Sequence, residues 1–188
     1  MTSRREAVRA LAGIAALPLF GKLGAQDVMD VGRRAHEHAV LTTSPRALTA
    51  AELEMVSEAA ERIIPRTDTP GATDARVADF IDVMLAEWYD AADRDRFKAG
   101  LTELDARARK ASGRGFAGME RARQIEILET LDRELSVRRQ AREEGADETW
   151  FAMLKHLTIW GYYTSRPGIV EELRVQLVTG RYEGNARY

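Results

Sequence analysis

The sequence predicts an all-α protein: a compact bundle of about five helices with an extended N-terminal arm and an irregular C-terminal tail. Three observations carry this reading. Apolar residues recur at three- and four-residue spacing through most of residues 48–160. No set of segments alternates apolar and polar residues as strands do. No internal repeat of solenoid length is visible.

Residues 26–47 are polar and hold His36-Glu37-His38 and Thr42-Thr43-Ser44-Pro45. They read as a flexible arm that tethers or wraps. Thr49-x-x-Glu52 forms a capping box, in which the Thr hydroxyl accepts from the Glu52 backbone and Glu52 reaches back. Leu53, Val56, Ala60, Ile63 and Ile64 follow at helical spacing, and Pro65 ends that helix. Thr67-Asp68-Thr69-Pro70-Gly71-Ala72 has turn composition. A second helix is expected from about Asp74 to Tyr89, with Val77, Phe80, Ile81, Met84 and Trp88 on one face. A third runs from Asp90 to Lys110 around Phe97, Leu101 and Leu104, and stops at the flexible Ser112-Gly-Arg-Gly115. Phe116, Met119, Ile125, Leu128 and Leu131 mark a fourth. Residues 134–147 are charged and fit helix or loop. A last helix spans Thr149 to Trp160 with Phe151, Leu154 and Leu157. Beyond Gly161 the periodicity stops. Tyr162 to Gly168 has turn composition, Val175 to Val178 fits a short extended piece, and Gly180-Arg181-Tyr182 begins a polar tail.

The first 25 residues read differently. Arg4, Arg5 and Arg9 precede an apolar run, Ala10 to Phe20, and then small residues. This is the three-part pattern of an export signal. The paired Arg4-Arg5 and the dilution of Leu and Ile by Ala and Gly point to the twin-arginine route. Eleven apolar residues fall short of the ~20 that a transmembrane helix needs. Leu23-Gly24-Ala25 is the expected cleavage site. The expected organisation is therefore a signal over residues 1–25, an arm over 26–47 and a helical domain over 48–188, with a periplasmic destination.

Length and composition set bounds. Removing 25 of 188 residues leaves enough chain for one domain with a real core. Four of the 28 basic and one of the 30 acidic residues lie in the signal, so the mature chain carries a net charge of −5. Its arginines alternate with Asp and Glu along helices, which does not favour nucleic-acid binding. The chain has no cysteine. That excludes disulfides, covalently attached c-type haem, cysteine-held iron–sulfur clusters and a cysteine nucleophile.

No pattern for catalysis emerges, and no catalytic, cofactor-binding or metal-ligating residue is assigned. A dimetal site in a helical bundle wants Glu-x-x-His on two helices. Arg33, Ala35 and Met153 stand three residues before His36, His38 and His156 instead. His36 and His38 read as solvated, and His156 as a structural or interface histidine. There is no Gly-x-Ser-x-Gly and no dinucleotide fingerprint. What remains is Trp160, Tyr162 and Tyr163, followed by Arg181 and Tyr182 in the tail. Aromatics and arginine in this density have the composition of a protein–protein hot spot. They fit equally an aromatic core that anchors the last loop.

At these residues the chain resembles a known family. Leu154-Lys-His-Leu-Thr158 running into Gly161-Tyr-Tyr-Thr-Ser165, then Gly168, Glu172-Leu173 and Gly180-Arg181-Tyr182, resembles the C-terminal signature of the gluconate 2-dehydrogenase subunit 3 family. Ile63-Ile64-Pro65-x-Thr67-Asp68-x-Pro70-Gly71-Ala72, followed by Val77-x-x-Phe80-Ile81, is similar to its N-terminal signature. Arg166-Pro167 departs from the common pattern, where an acid and an aliphatic residue are frequent. The resemblance implies a small subunit of a periplasmic sugar or polyol dehydrogenase complex. Its partner would be a large FAD-containing subunit of the glucose–methanol–choline type, often with a c-type cytochrome as electron acceptor. The small subunit would carry the signal read by the twin-arginine translocase and escort the large one. Two other classes remain open: a free-standing helical binding protein, and an enzyme using His156 with nearby carboxylates.

Overall fold

The computed structural model describes residues 25–41 and 44–173. They form six α-helices and two single-turn helices, with no strand among the described residues. The helices are α1 (Ala25–Leu41), α2 (Ala50–Ile63), α3 (Val77–Glu87), α4 (Ala91–Ser112), α5 (Arg121–Gln140) and α6 (Trp150–Thr164). A 3₁₀ turn, Ala146–Glu148, precedes α6, and a π turn, Pro167–Glu172, follows it. The all-α class expected from the sequence is the class observed. Arg4, Arg5, Arg181 and Tyr182 lie outside the described residues.

Local chemistry explains four of the helix ends. Thr49 Oγ1 accepts from Glu52 N at 3.2 Å, and Glu52 Oε2 accepts from Thr49 N at 2.7 Å, completing the capping box before α2. Asp90 caps α4 by accepting from Asp93 N at 2.9 Å. Gly113 closes α4 at φ 73°, a left-handed value that glycine adopts without a Cβ clash. Thr149 caps α6 through Ala152 N.

Helix α6 is the axis of the bundle and packs against all five other helices. Twelve of its fifteen residues are buried, so it has no solvent face. The other helices each turn one apolar face inward: Val56, Ala59 and Ala60 from α2; Phe80, Ile81 and Met84 from α3; Phe97, Leu101 and Leu104 from α4; Leu128, Leu131 and Leu135 from α5. Close approach needs small residues. Gly100 of α4 sits directly against the Trp150 ring, where a Cβ would collide with the indole.

The arm expected over residues 26–47 is corrected by the structure. Residues 25–41 form α1, which packs on α3 and α6. Its inward face is built from Ala35, Ala39 and Gly32, with partly buried Val28 and Val31. A Cβ at Gly32 would lie 2.8–2.9 Å from Thr164. Small residues bring the helix in close without the large apolar side chains that make periodicity visible. His36 is also not solvated. Its ring lies 4.7 Å from Phe80 and its Nε2 is 2.8 Å from Gly161 O, so Nε2 carries the proton and donates. Burial pushes the His36 pKa below its ordinary value, against the Gly161 carbonyl that raises it.

The segment after α1 is fixed by one buried acid. Asp82, only 2% exposed on α3, accepts from Arg46 N at 2.7 Å, Ala47 N at 2.9 Å and Leu48 N at 2.8 Å. Three backbone donors stand in for the water that the carboxylate has lost. Asp82→Ala leaves those N–H groups buried without an acceptor. The expected outcome is a loss of about 3 kcal/mol or more of unfolding free energy, read from urea denaturation with an unchanged m-value. Asp82→Asn, which keeps one carbonyl acceptor, is expected to lose less.

Candidate functional site

Trp160, Tyr162 and Tyr163 sit at the C-terminal end of α6, which continues to Thr164 instead of stopping at Trp160. All three are buried, Trp160 completely. Trp160 meets Phe80 edge-on at 5.3 Å, and the Tyr162 and Tyr163 rings stand at 87° and 5.2 Å. Gly161 leaves room for Phe80, whose Cδ1 lies 2.6 Å from where a Cβ would stand. Of the two readings these aromatics allowed, the structure places the rings in the core, beneath the surface. The helix spacing 160, 162, 163 spreads them around α6 rather than along one outward face.

One polar tip reaches out of that core. The Tyr162 hydroxyl donates to Pro70 O at 2.6 Å, across 92 residues of sequence. Pro70 lies in the long connection between α2 and α3, and that connection is pinned from within. Glu61 at the end of α2 accepts from Arg66 N through Oε1 and from Thr73 N through Oε2, both at 2.9 Å. Asp74 accepts from Gly71 N at 2.9 Å and from Arg66 Nε at 2.8 Å. Ala72 N donates to Ile64 O, and Thr67 N to Thr69 O. A Cβ at Gly71 would fall 2.5–2.6 Å from the Glu61 carboxylate and Arg66 N, so only glycine lets the chain pass. Burial works against the Glu61 charge, but the Thr73 and Arg66 N–H donors outweigh it and lower its pKa. Burial, aided by the negative charge of Glu172, pushes the Tyr162 hydroxyl up to about 12, so it remains a donor at any ordinary pH.

The same corner closes α6. Ser165 Oγ donates to Tyr162 O at 2.6 Å and accepts from Gly168 N at 3.1 Å. Gly168 passes over the Tyr162 carbonyl, where a Cβ would collide. The chain then folds into the turn Pro167–Glu172, and burial, with the negative charge of Glu172 added, raises the pKa of both Tyr162 and Tyr163. The two segments that carry the sequence resemblance, one from the end of α2 into α3 and one from within α6 into the turn after it, are thus bonded to each other through Tyr162 and Pro70.

The other two histidines are held elsewhere. His38 is exposed, with Nδ1 2.9–3.0 Å from the Glu87 carboxylate. His156 is buried on α6, and Arg139 donates to its Nε2 at 3.2 Å while also pairing with Asp147. A base that accepts from a guanidinium in a buried setting is poorly placed to take a proton. Burial and the Arg139 charge push its pKa down to about 4. Among the described residues, no three His, Cys, Asp or Glu side chains group as metal ligands, and no helix is long and apolar enough to cross a membrane. A cleft of about 320 Å³ lies between α4, α5 and the start of α6. Its Arg107 bridges Glu103 and Glu134, and Trp150 Nε1 donates to Glu103.

His156 also sets an acid response. The unfolded imidazole titrates near 6.5 and the folded one near 4. Its contribution to stability is therefore complete above 6.5 and is lost as pH falls towards 4. The loss from this residue is at most about 3 kcal/mol. The expected outcome is an imidazole C2-proton resonance for His156 that does not shift between pH 8 and pH 5.5, while unfolding free energy falls below pH 6 less steeply in His156→Gln than in wild type.

Comparison with curated proteins and with solved structures returned no match. A family model does match, over residues 50–180, and its description is gluconate 2-dehydrogenase subunit 3. The matched region starts at α2 and takes in the whole Glu61–Tyr162 corner; α1 precedes it. On a match of this extent, the chain belongs to the gluconate 2-dehydrogenase subunit 3 family.

Proposed function

We propose that this chain is the accessory subunit of an oxidoreductase complex and has no catalytic role of its own. It binds a large FAD-dependent dehydrogenase of the glucose–methanol–choline type and escorts it through twin-arginine export. It then stays in the periplasm as a structural subunit, with a c-type cytochrome as a further partner. The observation that carries this reading is membership of a family named as a dehydrogenase subunit. The sequence supports it with Arg4-Arg5 ahead of a short apolar run.

The physical logic is one of order. A flavoprotein that acquires FAD in the cytoplasm must cross the membrane folded. The twin-arginine route carries folded cargo, so one signal on a bound partner serves both chains. Such a role asks for an interface and an address, and the chain needs no cofactor for either.

Two measurements test this. The purified chain is expected to be colourless and to oxidise no sugar or polyol; a flavin or haem spectrum that stays with it through gel filtration contradicts the proposal. Arg4→Lys with Arg5→Lys is expected to leave both this chain and its dehydrogenase in the cytoplasm, because a receptor reads the guanidinium pair and not charge alone. Undiminished periplasmic dehydrogenase activity in that double variant, with no signal on the large subunit, would refute the escort role.

A further inference from the structure

We propose that the connection Pro65–Asp74, with the turn Pro167–Glu172 beside it, is the surface on which the large dehydrogenase subunit seats, and that Tyr162 is a positioning residue that holds this surface in shape. The inference rests on the accessory-subunit reading above and adds the place and the means.

The first argument is length. Thirteen residues separate Ile63 from Val77, long for a helix–helix connection without secondary structure of its own. A link with no other task would be shorter or loosely held. The second is the way it is fixed. A carboxylate (Glu61), a core hydroxyl (Tyr162) and a second carboxylate (Asp74) all bond its backbone from the inside. Pro65, Pro70 and Pro167 restrict the same stretch of surface. The outward side chains, Arg66, Thr67, Asp68 and Thr73, are exposed. A loop fixed from behind and exposed in front loses little entropy on docking, which is where affinity is most easily gained.

The occupant follows from what the surface presents. Arg66 is neutralised by Asp74. Asp68, Glu171 and Glu172 then outnumber Arg166, next to half-buried Pro70, Pro167 and Ile169 and exposed Val170. A mildly acidic surface with an apolar centre suits another folded protein that offers Arg or Lys at its rim. The buried Tyr162 ring does not touch that partner; its hydroxyl sets where Pro70 stands.

The test uses the full chain and the FAD-loaded large subunit of the proposed complex, with binding rates and amide exchange as readouts. Asp68→Arg should weaken binding about tenfold or more at an unchanged melting temperature. Glu129→Arg, on the exposed side of α5, should leave binding unchanged. Tyr162→Phe keeps the ring and removes only the hydroxyl, with its bonds to Pro70 O and the Thr69 side chain of the same connection. It should speed exchange at Ala72 and Thr73 in the free subunit and slow association, which loss of a direct contact would not do. The complex should protect residues 66–73 and 166–172. Wild-type binding with Asp68→Arg at full affinity, or with protection confined to α1 or α5, overturns the surface while leaving the accessory role standing. Failure of the wild-type chain to bind the large subunit at all removes both.

Discussion

Five amphipathic helices each have an apolar face to bury, and a single helix, α6, receives all of them. That is the constraint from which the rest of the bundle follows. Its residues are apolar or small almost all the way round: Phe151, Ala152, Leu154, Leu157, Trp160, Gly161. The neighbours then sort by size. Large rings such as Phe80 come in over Gly161, Trp150 itself lies on Gly100, and Gly32 of α1 meets Thr164. Each of these three contacts sets a side chain on one helix against a glycine on the other, as dense packing requires. Two polar groups of α6 that are caught inside turn to backbone, Thr164 to Trp160 O and Tyr162 to Pro70 O, while Thr158 Oγ1 and His156 Nδ1 are buried without a hydrogen bond among the described residues.

Electrostatics has a secondary and mostly external part. Ion pairs such as Arg109–Asp105 and Arg123–Glu126 run along exposed helix faces, where each is worth little. The acids that shape the fold are those that bond backbone. Asp82 gathers three N–H groups of the segment before α2, Glu61 gathers two of the connection after it, and Asp105 accepts from Phe116 N beyond α4. In each case a helix reaches sideways with a carboxylate and sets the path of a non-helical stretch.

How much of this could be read from the chain depends on how local the cause is. The capping box at Thr49–Glu52, the stop at Pro65 and the glycine end of α4 each lie within a few residues of their effect, and all are where the sequence places them. Helix α1 was illegible because Gly32, Ala35 and Ala39 carry its inward face, and small residues leave no apolar periodicity to detect. Asp82 stands in an apolar stretch and reads as a break in the pattern; its three partners are more than thirty residues away. The aromatic run at 160–163 was visible as composition, but composition does not say whether rings face in or out. Only the packing of Phe80 and the reach of the Tyr162 hydroxyl decide that.

The position of α6 in the chain has a consequence for how the molecule is made. It spans Trp150 to Thr164, so helices α1 to α5 are all synthesised before the element they pack on exists. Domains that complete a unit early can fold while synthesis continues. This one holds its central helix back until the other five have been made. The earlier helices pack on one another, α1 and α2 both on α3, but the faces they turn to α6 stay uncovered until that last helix arrives and the core can close.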